Sequence, residues 1–171
     1  MTSEDVRIAR DDSAAAQRAA AGIWARATAR RDNLPEAAPV EEKLPGIQGR
    51  LSTPDGVLYL ALLHGAAAGF ALTVVHPSVL EVVYLAVNPD AWGAGIGRKL
   101  LAHVDTEAGA RGISHLELWV IDDNERAVGV YAESGWRRTD RVRDQKPTGR
   151  RERLLVRDFE DRVVLLRPGL D

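Results

Sequence analysis

The sequence predicts an α/β (α+β) fold: one mixed β-sheet of six to seven strands with helices on both faces. Segments with the period of strands alternate with segments that have the period of helices, in the order β-α-(α)-β-β-β-α-β-α-β-β. The 171 residues, 45% hydrophobic and 28% charged, suit one domain with a substantial core. Because neither a repeat nor a low-complexity linker divides them, we predict a single domain over residues 6–168.

The first predicted elements are a strand and a long helix. Val6–Arg10 alternates apolar and polar residues, and Asp-Asp-Ser at positions 11–13 supplies N-cap residues for a helix over Ala14–Arg31. Prolines at positions 35 and 39 separate this helix from a short second one, from about Val40 to Lys43 or beyond. We expect the second helix to stop before Pro45-Gly46.

Three strands are predicted next. Turn residues at positions 53–56 precede apolar runs at 57–63 and 69–75, and this pattern predicts a hairpin around His64-Gly65. Residues 79–87 form a third apolar, β-branched run, which Asn88-Pro89 ends.

The rest of the chain alternates helices and strands. A glycine-rich loop at positions 93–97 leads into a helix with one apolar face, and His115–Ile121 predicts a strand. Asn124 ends a capping sequence for a helix from Glu125 to about Ser134. Strand patterns follow at residues 136–142, 151–157 and 162–167, and the sequence leaves open whether one or both of the last two join the sheet.

Composition excludes several classes of function. The chain has no Cys, which excludes disulfides, thiolate metal ligands and a covalent cysteinyl intermediate. Its 23 Lys and Arg against 25 Asp and Glu give a net charge of −2, whereas nucleic-acid-binding proteins usually carry a basic excess. No apolar run is long enough to span a membrane, and the start is acidic. We therefore expect a cytoplasmic protein that binds no nucleic acid, membrane or metal.

The loop at residues 93–97 has the chemistry of an anion-binding site. Its three glycines let the backbone approach a phosphate, and the first N–H groups of the following helix point towards it. Arg98 and Lys99 add positive charge. A Walker A loop is excluded because Arg-Lys-Leu follows Gly97, and the G-x-G-x-G spacing fits the dinucleotide fingerprint poorly. A tight turn that only allows close packing of helix and strand stays open as an alternative.

Two motifs carry a resemblance to a known family. Residues 85–101, LAVNPDAWGAGIGRKLL, resemble the acyl-CoA loop of the GNAT superfamily of N-acyltransferases. Residues 124–136, NERAVGVYAESGW, are similar to the family segment N-x-x-A-x-x-x-Y-x-x-x-G-F. The motifs lie in the family's order, and the predicted elements match the family fold from about Val6 to Leu166. Trp92 replaces the usual Gln or Arg, and Trp136 replaces the usual Phe.

The resemblance implies acetyl-CoA as donor, with its pyrophosphate over residues 93–98 and its pantetheine paired, like an added strand, with the backbone of Leu85 and Val87. It also implies that two adjacent parallel strands, containing Leu85 and Leu118, splay apart to admit this arm. The residues implied in cofactor binding are Leu85, Ala86, Val87, Trp92, Gly93, Ala94, Gly95, Ile96, Gly97, Arg98, Asn124, Ala127 and Tyr131.

The resemblance further implies direct attack of an amine on the thioester, without a covalent enzyme intermediate. A primary amine with a pKa of about 10.4 is mostly protonated at pH 7, a deficit of roughly 4–5 kcal/mol. Glu81 is implied as the general base, with His76, His64 or a water chain as alternatives. Tyr131 matches the family position that protonates the leaving thiolate, and the Val87 N–H is implied as the oxyanion donor.

The acceptor amine stays undetermined. Residues 31–50, 64–69 and 140–153 are the segments implied to bind it. Acidic residues in the first segment indicate a cationic amine and arginines in the last an anionic one, so small-molecule and peptide amines both stay open, as does a homodimer. The alternative function is a non-catalytic acyl-CoA-binding sensor of the same fold. An ATP-binding protein is disfavoured, because the loop lacks the Lys and Ser/Thr partners.

Overall fold

The computed structural model describes residues 5–146 and 148–160. Strands in this part of the chain form one mixed sheet in the order β1-β2-β3-β4-β5-β7-β6, as the predicted fold class requires. The elements are β1 (Val6–Arg10), α1 (Ala14–Arg31), α2 (Val40–Leu51), β2 (Gly56–Leu63), β3 (Ala66–Val75), β4 (Leu80–Val87), a 3-10 helix (Pro89–Ala91), α3 (Ile96–Ala110), β5 (His115–Ile121), α4 (Glu125–Glu133), β6 (Arg137–Asp144) and β7 (Arg151–Asp158).

Helix α1 has the bounds that its capping sequence predicts. The Ser13 side-chain oxygen accepts a hydrogen bond from the Ala16 N–H at 3.1 Å, so the cap satisfies one of the first unpaired donors. The buried face of the helix consists mainly of alanines and Ile23, which lets the helix lie close to the sheet.

Helix α2 is longer than predicted. We expected it to stop before Pro45-Gly46, but it continues to Leu51 with Pro45 inside it. Proline removes one hydrogen bond, to the carbonyl of Glu41, and Glu41 is exposed to water. Continuing the helix buries Ile47 completely, and this burial offsets the lost hydrogen bond.

Strands β2 and β3 form the predicted hairpin. The two turn residues, His64 and Gly65, have φ angles of 51° and 81°, the left-handed pair that a two-residue turn of this kind requires. The strands pair from Gly56 with Val74 to Leu63 with Ala66, so β3 begins three residues before the expected 69.

Two cores lie on opposite faces of the sheet. Successive residues of β2 alternate between them: Val57 and Tyr59 pack with α3, whereas Leu58 and Leu60 pack with α1. The face that carries α1 and α2 is called the α1 face below, and the face that carries α3 and α4 is called the α3 face. Helices on both faces confirm the predicted packing.

Strands β4 and β5 are parallel and separate part-way along. Pairing is confined to Leu80–Val82 with Leu116–Leu118, after which the strands diverge. The divergence begins at a bulge in the β3–β4 ladder, where Leu72 pairs with Tyr84 and Thr73 with Val82, leaving Val83 as the extra residue. Because a bulge bends its strand and increases its twist, it turns β4 away from β5. The expected splay between these two strands is therefore present.

The last strands complete the sheet on the β5 side. β7 joins the sheet between β5 and β6, so the 151–157 segment is a strand, and the 162–167 segment lies outside the described residues. None of the described helices is both long and apolar enough to cross a membrane.

Candidate active site

The glycine loop forms an open backbone cradle at the start of α3. Gly93 and Gly95 have φ angles of 88° and 76°, and a Cβ at either position would meet no atom within 4 Å. Gly95 is the N-cap and provides no side-chain cap, so the first N–H groups of α3 are left for another acceptor. This geometry suits a phosphate group at the positive end of the helix dipole.

Two residues next to the cradle, Gly97 and Arg98, lie close to other parts of the protein. Gly97 lies inside α3, and a Cβ there would meet Val130 and Val87 at ordinary contact distances of 3.6 and 3.9 Å. Arg98, which is expected to add charge to the anion site, forms an ion pair with Glu133 of α4. A methyl group would therefore be accommodated at Gly97, and the charge of Arg98 is compensated within the protein.

Trp92 links the loop to the end of β4. Its indole Nε1 donates a hydrogen bond to the carbonyl of Val87 at 2.9 Å. The guanidinium carbon of Arg126, from the first turn of α4, lies 4.2 Å from the centre of the indole rings, and that of Arg30, from the last turn of α1, lies 5.9 Å away. Three elements therefore meet at Trp92.

The splayed half of β4 presents different residues to the two faces of the sheet. Leu85 and Val87 pack against the core on the α3 face, whereas Tyr84 and Ala86 pack on the α1 face. The Asn88 N–H donates a hydrogen bond to the Ala68 carbonyl of β3. Because backbone groups of successive strand residues point to opposite sides, the N–H and carbonyl of Val87 point away from β3, towards the splay. Leu85, two residues earlier, has the same orientation.

Tyr131 lies in the core on the α3 face. It is 8% exposed, and desolvation by burial raises the pKa of its phenol to about 12. Its ring meets that of Trp136 edge to face, with 6.2 Å between centroids. Trp136 is itself buried, as expected for a core residue, and its indole nitrogen has no hydrogen-bond partner among the described residues.

Asn124 caps α4. Its Oδ1 accepts a hydrogen bond from the Ala127 N–H at 3.3 Å, which is the structural role expected of it. An open pocket beside this cap, at the carboxyl end of β5, is lined by Ile121, Asp122, Asp123, Arg150 and Arg151.

Two of the three candidate bases lie together. His76 Nε2 is 3.0 Å from Oε1 of Glu81, whose side chain is 21% exposed. Glu81 pairs with Val74 and so lies on the α1 face, one residue before the splay begins. His64 is separated from this pair by the whole of β3 and lies 3.8 Å from Asp5.

A second histidine–carboxylate group, which was not predicted from the sequence, lies next to Glu81. Glu117 of β5 is the cross-strand neighbour of Glu81. His115 lies between two carboxylates, with Nε2 2.9 Å from Glu117 and Nδ1 2.5 Å from Asp158. The contact with Asp158, followed by that with Glu117, raises the pKa of His115. Only the alternating His-x-Glu pattern at the start of β5 signals this group. No described cluster of three or more His, Asp or Glu side chains is arranged to hold a metal ion.

Two of the three segments implied to bind the acceptor meet across the splay. Arg150 Nη1, after β6, donates to Asp32 Oδ1, after α1, at 2.9 Å. Hydrogen bonds from Arg31 and then from Arg150 lower the pKa of Asp32 to about 2. The third segment, the hairpin turn at His64, is not part of this contact.

Aromatic side chains lie on the α1 face beside the splay. The rings of Tyr84 and Trp24 are 4.3 Å apart, and the guanidinium carbon of Arg143 lies 4.1 Å from the Trp119 ring centre. None of these side chains was predicted from the sequence to belong to the site. For Tyr84 the signal was its place directly before Leu85, since neighbouring strand residues face opposite sides of a sheet.

The chain matches known proteins along most of its length. A family model described as the acetyltransferase (GNAT) family matches residues 23–136. The [ribosomal protein bS18]-alanine N-acetyltransferase of Escherichia coli (strain K12) is 30% identical over 132 residues, covering 72% of this chain and 89% of that protein. A mycothiol acetyltransferase of Paenarthrobacter aurescens is 33% identical over 93 residues, covering 51% of this chain and 29% of that protein.

Solved structures share the fold. The crystal structure of the ribosomal-protein-S18-alanine N-acetyltransferase from Escherichia coli superposes with a TM-score of 0.69 at 22% identity, covering 90% of this chain and 93% of that one. The crystal structure of PaiA N-acetyltransferase from Thermoplasma acidophilum in complex with coenzyme A superposes with a TM-score of 0.69 at 17% identity, covering 90% of this chain and 99% of that one.

A splayed parallel strand pair that leads to an open glycine cradle, in a chain with these relatives, defines an acyltransferase enzyme. The chain belongs to the acetyltransferase (GNAT) family, and its activity is the transfer of an acetyl group to an amine.

Proposed function

We propose that the acetyl donor is acetyl-CoA, bound in the splay between β4 and β5 with its pyrophosphate in the glycine cradle. The observation that carries this proposal is the continuity of the two features: β4 leaves β5 after Val82, and eleven residues later Gly93 opens the cradle. A pantetheine arm laid along β4 pairs with backbone groups that have no strand partner in the described sheet.

Trp92 sets where this pairing stops. Its indole N–H donates a hydrogen bond to the Val87 carbonyl. Acetyl-CoA therefore pairs with the backbone of Leu85 and with the N–H of Val87, but not with the Val87 carbonyl. The Val87 N–H is then the donor that stabilises the developing oxyanion of the thioester carbonyl. Asn124, Ala127 and Tyr131, on the α4 side of the splay, line the other side of the arm. These assignments place the thioester between the α3 face and the α1 face.

Glu81 is the proposed general base for the acceptor amine. It lies on the α1 face, and its hydrogen bond with His76 orients its carboxylate and offers a path for the proton to solvent. Glu81→Gln is expected to lower kcat/KM by about 100-fold and to remove the acidic limb of its pH profile, with acetyl-CoA affinity unchanged. An unchanged acidic limb assigns the base to water or to another residue.

Tyr131 is the proposed donor to the leaving sulfur. With a pKa of about 12 it stays protonated throughout the working range, so it always offers its O–H. A thiol has a pKa of about 8.5, so complete transfer from this phenol to the thiolate is uphill. Tyr131 therefore stabilises the departing thiolate by a hydrogen bond, while the C–S bond breaks and the amine nitrogen loses its second proton to water or base.

The proposed acceptor is a small-molecule or peptide amine that approaches from the α1 face. The relatives support both kinds, since one name specifies a ribosomal protein alanine and another mycothiol. The hydrogen-bonded pair of Asp32 and Arg150 lies at the edge of this approach. We further propose that the enzyme is a single domain over residues 6–168 in the cytoplasm, where acetyl-CoA is made and used, and that any homodimer leaves this approach open.

Calorimetric titration with acetyl-CoA, without an acceptor, tests the proposed donor. We expect saturable binding with a Kd in the micromolar range, about −8 kcal/mol. Release of CoA thiol is then measured with pools of amino acids, polyamines, peptides and aminoglycosides. Absence of binding refutes the donor assignment. Binding of acetyl-CoA without release of CoA thiol from any of these amine pools favours the non-catalytic acyl-CoA-binding sensor.

A further inference from the structure

We propose that Arg126 binds the pyrophosphate of the donor, and that Trp92 is the positioning residue that holds the Arg126 side chain there. This inference rests on the proposed function, because it assigns part of the same donor site. It concerns a residue of α4 that lies outside the glycine loop in sequence. Its guanidinium carbon is nevertheless 4.2 Å from the ring of Trp92, the residue directly before Gly93.

The cradle needs a cation that the loop itself does not supply. A pyrophosphate linkage carries two negative charges, whereas helix N–H groups contribute only partial positive charge. Arg98 is paired with Glu133. Among the residues that the structure describes, no carboxylate pairs with Arg126, and its side chain is exposed. Arg126 is therefore a cation next to the cradle whose charge is left for a ligand, and it lies closer to the Trp92 ring than Arg30 does.

The contact with Trp92 leaves the hydrogen-bonding edge of Arg126 available. Stacking on an indole uses the face of the guanidinium group, while its five N–H donors lie in the plane. A phosphate group accepts two such donors side by side. The indole is itself fixed, because its Nε1 is hydrogen-bonded to the Val87 carbonyl. The contact therefore restricts the guanidinium before the donor arrives, which lowers the entropy lost on binding.

The contact pairs a tryptophan of the loop with an arginine of α4. A Gln or Arg at position 92 offers no aromatic face for a guanidinium. In this chain the ring at position 92 connects the end of β4, one of the splayed strands, with the first turn of α4, the helix that follows the other. The same contact that holds Arg126 therefore sets the distance between them.

Titration calorimetry with acetyl-CoA on purified variants tests the role of Arg126. Arg126→Gln is expected to weaken binding about tenfold, and Arg111→Gln, an exposed arginine at the far end of α3, to leave it unchanged. The loss of affinity in Arg126→Gln should be the same with acetyl-3′-dephospho-CoA, which lacks the 3′-phosphate but retains the pyrophosphate. Equal affinity of Arg126→Gln and wild type overturns the proposal, and a loss confined to donors with the 3′-phosphate overturns the pyrophosphate assignment.

A double-mutant cycle tests the role of Trp92. Trp92→Gln is expected to weaken acetyl-CoA binding about as much as Arg126→Gln does. The double variant should bind no more weakly than either single variant, because both substitutions remove the same Arg126–Trp92 contact. Trp92→Phe keeps an aromatic face and should bind within about threefold of wild type. Additive losses, or equal losses in Trp92→Phe and Trp92→Gln, overturn the positioning role.

The controls separate this inference from the proposed function. Thermal unfolding of each variant identifies any that fail to fold, and Arg126→Lys, which keeps the charge without the planar group, then replaces Arg126→Gln. If wild type itself does not bind acetyl-CoA, the donor assignment and this inference both fail. If wild type binds and the Arg126 variants bind equally well, only this inference fails.

Discussion

Arg150 and Asp32 are 118 residues apart in sequence and are joined by a 2.9 Å hydrogen bond. Asp32 follows α1, which packs on β3 and β4, and Arg150 precedes β7, which pairs with β5. The contact therefore spans the two halves of the sheet at the side where the acceptor is proposed to approach. Arg31 shares the same carboxylate at 2.9 Å.

Arg150→Gln is expected to raise the KM for the acceptor with little change in acetyl-CoA affinity, because its partner Asp32 follows α1, on the side where the acceptor is proposed to approach. Partly exposed ion pairs contribute about 0.5–1 kcal/mol, so the coupling energy between Arg150→Gln and Asp32→Asn should fall in that range. Steady-state kinetics with the best acceptor and urea unfolding measure the two effects. A change in acetyl-CoA affinity alone would contradict this assignment.

Tyr131→Phe is expected to lower kcat by about 10–100-fold and to leave the Kd of acetyl-CoA nearly unchanged. The reason is that the variant keeps the buried ring and its contact with Trp136 but loses the hydroxyl group. Because the pKa of Tyr131 is about 12, no basic limb from its ionisation is expected in wild type below pH 10. Unchanged turnover would remove Tyr131 from the mechanism.

Gly95→Glu is expected to abolish binding of acetyl-CoA. The substitution puts a side chain and a negative charge into the open space of the cradle, at a φ of 76° that residues other than glycine rarely adopt. Gly49→Glu is the matched control, since it adds the same charge at an open position of α2. Retained affinity in the folded Gly95 variant, measured by calorimetry, would mean that the loop is only a turn.

Stability should decrease as the pH rises above about 6.5, because His115 is protonated between Asp158 and Glu117 in the folded protein. Its raised pKa stabilises the fold fully below the pKa of the unfolded chain, and this contribution is lost as the pH passes the folded value. His115→Gln should lack this dependence. Urea unfolding of both proteins from pH 5 to 9 makes the comparison, and parallel pH profiles would exclude the effect.

Trp136→Phe is expected to change the free energy of unfolding by less than about 1 kcal/mol. Burying an unpaired N–H costs about 1–3 kcal/mol, and removing it offsets the packing lost with the larger ring. Trp136→Ala, which leaves a cavity, should lose about 3–5 kcal/mol. Urea unfolding tests both variants, and a Phe variant as unstable as the Ala variant would show that the indole packing outweighs its unpaired donor.

Several features were predictable because they depend on neighbours in sequence. Cap residues located α1 and α4 within a residue, since a capping hydrogen bond involves residues three apart. The left-handed angles at Gly93 and Gly95 follow from the same local constraint. Pro45 misled the prediction for α2, because burial of Ile47 overrode local propensity.

The sequence by itself determined the order of the elements, the strand before and the helix after the glycine loop, and the motifs of the family, since these depend on local periodicity and on residue type. Only the tertiary structure decided where β4 leaves β5, that Glu133 pairs with Arg98, that Arg126 stacks on Trp92 and that Arg150 reaches Asp32. The physical reason is that a guanidinium group pairs with whatever carboxylate or ring the folded chain brings within reach. That choice depends on the packing of distant segments, which no local pattern encodes.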